Sequence, residues 1–371
     1  MNQGRAPDSS GALRLGDGSR TVPAMETRGA RVPVAVLGAT GYAGVELLRL
    51  LARHPAVELT YLSSEQYRDR QAADVYPFLR GIVETTLRAP DPDAVAGAAE
   101  IVFCALPHGA TAPVVRELRR RGLRVIDISA DFRLRDAAVY ARWYGEHAAP
   151  ELLADAVYGL PELYRDRIRS GQLIAAPGCY PTGALLGLVP LARAGLLSEP
   201  VMIDAKSGTT GAGRSAKVEQ LFAEVNENCR PYGIGVHRHR PEIEQELRAA
   251  GATAGALFVP HLLPVSRGVL STMYVRAERG RPALETIFAS AYAEEPFIVL
   301  RGDGDPPELK EVRGTNRCAI GWRWDESTQH AVIVTAIDNL GKGAAGQAVQ
   351  CLNLLLDLPE TTALEAPALV P

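Results

Sequence analysis

The sequence has few cysteines, few lysines and few aromatic residues, and these shortages exclude several classes of protein. The chain of 371 residues holds five cysteines without a CxxC pair, at positions 104, 179, 229, 318 and 351. This odd, scattered set suits neither a disulfide framework nor a structural zinc site, so we expect a cytoplasmic protein with no metal. Lysine occurs only at positions 206, 217, 310 and 342, and the net charge is −3. That balance gives no reason to expect nucleic acid or an anionic membrane as a partner.

A long apolar run is also missing. No stretch reaches the roughly 18–20 apolar residues that a membrane-spanning helix needs. Residues 1–30 are polar and rich in glycine, serine and arginine, and they contain no hydrophobic segment of a secretory signal. We predict that they form a disordered extension. The rest of the chain is long enough for two domains, each with its own core.

The first strong motif combines a strand, a glycine-rich turn and a helix. Residues 32–37 have the pattern of a buried strand, the turn GATGYAG follows, and residues 45–51 have helical apolar spacing. Glycines in such a turn allow a tight bend and a close approach to a pyrophosphate. A purely structural turn would share the pattern, but the strand–turn–helix context favours a dinucleotide site. The cofactor-binding candidates are Gly38, Thr40, Gly41, Tyr42, Ala43 and Gly44.

The end of the second predicted strand, residues 57–62, bears on the choice between NAD and NADP. An NAD site usually has an acidic residue there. This chain has Ser63 and Ser64 instead, with Arg68 nearby. Hydroxyl groups and arginines suit a 2′-phosphate, so we predict that NADP(H) is the cofactor. Solvated loop arginines would give the same pattern.

Further apolar segments at 101–106 and 124–129 alternate with helical segments, which predicts a doubly wound parallel sheet. Pro107 follows one of these strands at the edge where ligands bind in such folds. We therefore assign residues 31–178 to a Rossmann-type α/β domain that binds NADP. We expect the C-terminal helix at 342–371 to complete it.

The segment Ala175–Thr182 is a candidate nucleophile turn. Gly178 lets the backbone bend before Cys179, and Pro181 stands where a first helical residue would. This places Cys179 at or just before a helix N-terminus, where the helix dipole favours a thiolate. A small buried hydrophobic residue is the alternative interpretation of a lone cysteine.

Two later segments could bind anions or move protons. Residues 207–214 combine small hydroxyl and glycine residues with a basic end, although a flexible linker would look similar. In the second segment Pro241 can be the first helical residue, and an extended approach would put His237 and His239 on one side. An acid–base histidine paired with Cys179 is favoured over a metal site, because no third ligand has suitable spacing.

Strand-like segments at 201–205, 257–273 and 331–337 predict a mixed sheet in a second domain. We assign residues 179–341 to this α+β domain and expect it to carry catalysis and oligomerisation.

Together these motifs resemble the N-acetyl-γ-glutamyl-phosphate reductases from about Arg31 onward. The resemblance rests on blocks in the family's order: GATGYAG at 38–44, SADFR at 129–133, YGLPE at 158–162, PGCYPT at 177–182, SGTTGAGR at 207–214, HRH with PEI at 237–243, PHLLPVSRG at 260–268 and GAAGQAVQ at 343–350. Two positions depart from the family pattern. Ala176 and Cys351 stand where the family usually has asparagine.

The resemblance implies an NADPH-dependent enzyme in which Cys179 attacks an acyl phosphate, expels phosphate and forms a thioester. It implies His237 as the acid–base group and His239 as a residue that orients the substrate. The substrate-binding candidates are Arg133, Ser207, Arg214, Arg238 and His239, and Pro107 and Lys342 complete the cofactor candidates. A homodimer or homotetramer is expected, with a small acyl phosphate as the substrate.

Several alternatives remain at this point. The same chemistry serves an aminoadipyl-phosphate reductase of lysine biosynthesis and aspartate-semialdehyde dehydrogenase. A non-catalytic NADP-binding regulator would not need Cys179 or the histidine pair. A cysteine peptidase would leave the dinucleotide turn unexplained.

Overall fold

The computed structural model describes Met1 and residues 31–277 and 280–370. The predicted disordered extension, residues 1–30, lies outside the described residues except for Met1. The two predicted sheets are both present, and each has seven strands among the described residues.

The first sheet and its helices occupy the N-terminal half of the described chain. The elements are β1 Val32–Leu37, α1 Tyr42–Leu51, β2 Val57–Ser63, α2 Ala72–Val75, β3 Leu87–Arg88, α3 Pro92–Ala96, β4 Ile101–Cys104, α4 Thr111–Arg120, β5 Arg124–Asp127, α5 Ala137–Tyr144, β6 Ala156–Tyr158, α6 Pro161–Arg169 and β7 Leu173–Ala175. The strand order is β3-β2-β1-β4-β5-β7-β6, and all pairs are parallel. The order reverses between β1 and β4, so the turns that follow these two strands share one edge of the sheet.

The second sheet is mixed, as the sequence predicts. Its elements are α7 Cys179–Arg193, β8 Val201–Ser207, α8 Phe222–Val225, β9 Arg230–Pro231, α9 His239–Ala249, β10 Ala256–Leu262, β11 Val269–Arg276, α10 Leu284–Tyr292, β12 Ile298–Asp303, β13 Cys318–Asp325, β14 His330–Ile337 and α11 Gly346–Leu355. The order is β12-β13-β14-β11-β8-β10-β9. Strands β8 and β10 pair in parallel, as do β12 and β13, and the other pairs are antiparallel.

Helix α7 is the centre of the second core. Every residue from Tyr180 to Ala192 is buried, and the helix packs on inward side chains of the sheet such as Ile203, Phe258 and Met273. The opposite face of this sheet is only partly covered: Val312 packs on Ala319 and Ala336, whereas Met202 and Leu257 on that face are 43% and 48% exposed. None of the described helices is long and apolar enough to cross a membrane.

Helix α11 returns to the first domain, where Val349 and Leu352 join the core of Val34 and Phe103. The predicted helix 342–371 is too long, however. A five-residue π-helical segment at Gly341–Ala345, here called the π turn, precedes α11, and helical structure ends at Leu355.

Two helices start earlier than their prolines suggest. Helix α7 begins at Cys179 and α9 at His239, so Pro181 and Pro241 are third residues rather than first. A proline is tolerated throughout the first turn because the N–H groups there have no partner within the helix.

Candidate active site

Cys179 lies where the two halves of the fold meet. Strand β7 of the first sheet ends at Ala175, and after three residues the chain enters the buried helix α7 at Cys179. Gly178 is the N-cap, with φ −66° and ψ 153°, and no side chain caps this helix. The Cys179 side chain is only partly buried. This geometry presents a thiol at a helix N-terminus and at the boundary between the two cores.

The surrounding protein nevertheless keeps the thiol protonated. Desolvation raises the pKa of Cys179 to about 11, although Arg133 and the backbone N–H groups of Tyr180 and Cys179 act to lower it. The N–H groups at the helix start therefore favour a thiolate, but the loss of hydration outweighs them in this structure. A neighbouring base must take the proton when the substrate is in place.

The two histidines are neighbours, as predicted, but for a different reason. Their ring centroids are 4.8 Å apart, and His239 is the first residue of α9 rather than part of an extended segment. The backbone N–H of His239 donates to Nδ1 of His237 at 3.1 Å. The His237 ring packs edge-on against Tyr180, Tyr232 and Phe258. Desolvation lowers the pKa of His237 to about 4, so its ring is neutral and held by aromatic packing.

His239 is the histidine beside the nucleophile's turn. A methyl group placed on Gly178 would lie 2.5 Å from Nε2 of His239 and 3.0 Å from Nη1 of Arg133. Nδ1 of His239 is buried and has no hydrogen-bond partner among the described residues. Desolvation lowers the pKa of His239 well below its ordinary value, so the imidazole is neutral in this structure.

Glu242 anchors this turn, and the sequence analysis did not identify it. Its Oε1 accepts hydrogen bonds from the backbone N–H of Gly178 at 2.9 Å and from the Tyr158 hydroxyl at 2.8 Å. Nη1 of Arg133 lies 3.6 Å from Oε2. The available signal was its spacing, because a residue three positions after His239 lies on the same helical face.

Arg133 is buried beneath the nucleophile's turn. Its Nε donates to the carbonyl oxygen of Ala176 at 2.8 Å, and its Nη2 donates to that of Ile128 at 2.7 Å. The remaining nitrogen, Nη1, faces Gly178. Ala176 stands where the family usually has asparagine. The contact with Arg133 uses the backbone carbonyl oxygen of residue 176, so it does not depend on that side chain.

The π turn packs directly on the nucleophile. A methyl group on Gly343 would lie 2.8 Å from Cβ of Cys179, so only glycine fits there. Lys342, a predicted cofactor ligand, is fully buried, and its Nζ donates to Glu162 and Gln350 at 2.6 and 2.7 Å. Its ammonium does not reach the surface, and this position contradicts a direct contact with a dinucleotide in this conformation.

The glycine turn after β1 has the geometry of a phosphate cradle. Gly38 has φ +80°, and a methyl group there would lie 2.4 Å from the Ala105 carbonyl oxygen. At Gly41, which caps α1, the nearest atom to such a methyl group is 3.6 Å away, so the backbone has an open side. The first turn of α1, which includes Tyr42 and Ala43, has neither an acidic residue nor a side-chain cap. Its N–H groups can therefore donate hydrogen bonds to an anionic group.

The two serines after β2 brace this turn. Ser63 Oγ accepts from the Gly38 N–H at 3.1 Å, and Ser64 Oγ lies 2.7 Å from Oγ1 of Thr40. Both serines are buried. Arg68, in contrast, is exposed and pairs with Glu65. In this conformation the serine hydroxyls are engaged within the turn, and Arg68 is the exposed basic side chain near a 2′-phosphate site.

Arg214 reaches the dinucleotide turn rather than the nucleophile. Its Nη1 donates to the carbonyl oxygen of Thr40 at 3.0 Å and to the Tyr76 hydroxyl at 2.8 Å, and its Nη2 donates to the Tyr67 hydroxyl at 3.1 Å. The guanidinium also lies over both tyrosine rings, 5.3 Å from each centroid. Its prediction as a substrate ligand is therefore corrected, since these contacts place it on the cofactor side.

Arg238 also crosses between the two halves of the fold. Its Nη1 lies 2.5 Å from Nε2 of His108, and its guanidinium lies over the Tyr144 ring. Pro107 is exposed next to His108, after β4. Ser207, at the end of β8, is buried, and its hydroxyl donates to the carbonyl oxygen of Gly208. Neither Arg238 nor Ser207 contacts Cys179 directly through a hydrogen bond in the described structure.

Comparisons with known proteins agree with this architecture. The family model described as "Semialdehyde dehydrogenase, NAD binding domain" matches residues 33–171, and the one described as "Semialdehyde dehydrogenase, dimerisation domain" matches residues 179–339. The boundary between the two models falls just before Cys179.

Curated relatives extend over nearly the whole chain. The chain is 50% identical to the N-acetyl-gamma-glutamyl-phosphate reductase of Moorella thermoacetica over 347 residues, which covers 92% of this chain and 100% of the relative. It is 49% identical to the protein of the same name from Heliobacterium modesticaldum over 350 residues, with coverage of 92% and 100%.

Solved structures share the fold at low sequence identity. Aspartate semialdehyde dehydrogenase II from Vibrio cholerae, complexed with ASA, has a TM-score of 0.69 at 20% identity and covers 89% of this chain and 99% of its own. Aspartate semialdehyde dehydrogenase with NADP from Candida albicans has a TM-score of 0.68 at 16% identity, with coverage of 88% and 99%.

Proposed function

Because this chain belongs to the N-acetyl-gamma-glutamyl-phosphate reductase family, we propose that Cys179 is the nucleophile of the reaction that gives the family its name. The reaction is the NADPH-dependent reduction of N-acetyl-L-glutamyl 5-phosphate to N-acetyl-L-glutamate 5-semialdehyde and phosphate, in arginine biosynthesis (EC 1.2.1.38). One observation carries the assignment of residues. Cys179 opens a buried helix, while His239 and Arg133 converge on the residue that precedes it.

The chain's own groups account for the first half of the reaction. His239 accepts the Cys179 proton, and the sulfur attacks the carbonyl carbon of the acyl phosphate. The bond between that carbon and the phosphate oxygen then breaks, phosphate leaves and takes up a proton from solvent, and a thioester remains on Cys179. The backbone N–H groups of Cys179 and Tyr180 face the sulfur. We assign them to the developing oxyanion, because they have no other hydrogen-bond partner among the described residues.

We favour His239 over His237 as the acid–base group. His239 approaches Gly178 and has a free ring nitrogen, whereas His237 accepts a backbone N–H and is enclosed by aromatic rings. His239 protonated in the first step can return the proton when the C–S bond breaks and the aldehyde leaves. His237 keeps the ring of His239 in place.

The residues present fit NADP(H). At Gly41 the glycine turn leaves space beside the backbone, and the first turn of α1 has no acidic residue. Strand β2 ends at Ser63 and not at an aspartate or glutamate. The N–H groups of α1 would hold the pyrophosphate, and Arg68 with Arg214 would meet the 2′-phosphate. When bound, NADPH supplies the hydride for the thioester carbon. Thr40, Ser63 and Ser64 shape the turn that receives it.

Arg133 and Arg238 are the proposed groups for the substrate's anions. Arg133 has one nitrogen directed at Gly178, next to the nucleophile. Arg238 is exposed on the other side of His239 and could turn from His108 to a carboxylate. Guanidinium groups suit this task because their planar fork matches carboxylate and phosphate oxygens.

We also propose a homodimer, or a tetramer built from it, through the open face of the second sheet. Met202 on β8 lies opposite Leu257 on β10 and Tyr274 on β11, so three large side chains adjoin on this face, and Met202 and Leu257 are exposed. Light scattering should give a multiple of 39.7 kDa for the native protein and 39.7 kDa for Met202→Asp/Leu257→Asp. Ile82→Asp, at an exposed site of the first domain, is the control and should leave the mass unchanged. We place the protein in the cytoplasm because all five cysteines are unpaired.

The function is tested in the reverse direction with N-acetyl-L-glutamate semialdehyde, phosphate and NADP, by following NADPH absorbance. We expect turnover by the native protein and by Cys229→Ala, whose cysteine is exposed, and none by Cys179→Ala. Turnover only with the aminoadipate semialdehyde would replace the substrate assignment. Turnover by Cys179→Ala would refute the nucleophile.

A further inference from the structure

Arg267 connects the helix of the dinucleotide turn with the segment that supports the nucleophile. It belongs to the block PHLLPVSRG, which the proposed chemistry does not use. Its side chain lies between two carboxylates that are far apart in sequence, Glu46 and Asp338. The side chain is 20% exposed, whereas those of Glu46 and Asp338 are 3% and 0% exposed.

One end of this bridge is in the first domain. Glu46 lies on α1, and both of its oxygens accept from Arg267, while Arg49 on the same helix supplies a further pair of hydrogen bonds. The N-terminus of α1 is the proposed pyrophosphate site. A shift of Glu46 therefore moves the element that carries the cofactor.

The other end is the start of the π turn. Oδ2 of Asp338 accepts from Arg267 at 3.2 Å and from the Gly314 N–H at 2.6 Å. Oδ1 accepts from the N–H groups of Leu340 and Gly341 at 2.8 and 2.9 Å. The Asp338 carbonyl oxygen accepts from Gly343 at 2.9 Å. Asp338 thus holds the turn whose Gly343 rests on Cys179.

We propose that Arg267 is a positioning residue that fixes the distance between the bound nicotinamide and the Cys179 thioester. The inference rests on the proposed function, because that function is what requires a hydride to cross this distance. A planar guanidinium can bind two carboxylates at once, whereas a lysine ammonium acts as a single point charge. Removing the arginine leaves Glu46 with Arg49 and Asp338 with backbone N–H groups, so both halves keep partners but lose their connection.

The prediction separates hydride transfer from thiol chemistry. A misplacement near 1 Å costs about 100-fold in rate, so Arg267→Met should lower kcat by about 100-fold and Arg267→Lys by about tenfold. Semialdehyde deuterated at the aldehyde carbon should show a larger isotope effect on kcat in both variants, because hydride transfer becomes rate-limiting. The rate at which iodoacetamide alkylates Cys179 should stay within twofold of native. This rate is measured on the peptide that contains Cys179, because the exposed Cys229 also reacts.

The matched control is Arg165→Met. Arg165 also bridges two acidic residues, Glu295 and Glu360, but touches neither α1 nor the π turn. It should lower stability without changing the isotope effect. An equal response in the two arginine variants, or slower alkylation in Arg267→Lys, would overturn the proposal. If Arg267→Met does not fold, Arg267→Lys decides by the same criteria. Native turnover of N-acetyl-L-glutamate semialdehyde, measured first, separates failure of the proposed function from failure of this inference.

Discussion

Gly178→Ala tests the arrangement of the site with one added methyl group. Gly178 has φ −66° and ψ 153°, a conformation that alanine adopts without strain. The methyl group would meet Nε2 and Cε1 of His239 at 2.5 and 2.8 Å and Nη1 of Arg133 at 3.0 Å. The backbone conformation therefore suits alanine. Any effect of the substitution comes from the clash of the methyl group with His239 and Arg133.

The size of the effect follows from these distances. Ordinary contacts begin at 3.4 Å, so the His239 ring must retreat by about 1 Å. The ring has little room to move, because His237 and Tyr180 pack against it. We expect kcat to fall by about 100-fold, while the free energy of unfolding changes by about 1–3 kcal/mol.

Gly41→Ala is the matched comparison. Gly41 is also an N-cap without a side-chain hydrogen bond, with φ −76° and ψ 166°, but an added methyl group finds its nearest atom at 3.6 Å. It should raise the KM for NADP and leave Cys179 alkylation unchanged. Both variants are assayed by NADPH formation from the semialdehyde. A Gly178→Ala enzyme within threefold of the native kcat would refute the role of His239.

Three further predictions use other groups. The pKa of Cys179, raised to about 11, predicts that its alkylation rate rises about tenfold per pH unit from pH 7 to 10, and a plateau below pH 9 would contradict a resting thiol. Burial raises the pKa of Asp127 to about 7, so the folded state keeps a proton that the unfolded state loses, and stability falls by at most about 4 kcal/mol between pH 4 and 7. The difference in Tm between Asp127→Asn and the native protein should therefore favour the variant more at pH 8 than at pH 5. A difference in Tm that does not change with pH would contradict this. Arg214→Ala should raise the KM for NADP about tenfold through loss of its contact with the dinucleotide turn, whereas the control Arg230→Ala, whose arginine side chain bonds only the carbonyl oxygen of Glu219 among the described residues, should leave that KM unchanged.

The fold follows from local patterns in the sequence. Alternating apolar strands and amphipathic helices specify a parallel sheet, and glycines at 38, 41 and 44 specify the turn after β1, because these effects act within a few residues. Cys179 could be singled out for the same reason, since a glycine and a proline around a lone cysteine mark a helix start. The ends of elements were less predictable: Pro181 and Pro241 are compatible with any position of the first helical turn.

The tertiary structure alone decided which distant residues share the site. The sequence could not show that Glu242 holds Gly178, that Arg214 faces the cofactor turn, or that Lys342 is buried, because each depends on contacts between segments far apart in the chain. It also could not show that desolvation outweighs the helix dipole at Cys179, since hydration is a property of the packed core. Local residue types determined the chemistry available to this protein, and long-range packing determined which groups perform it.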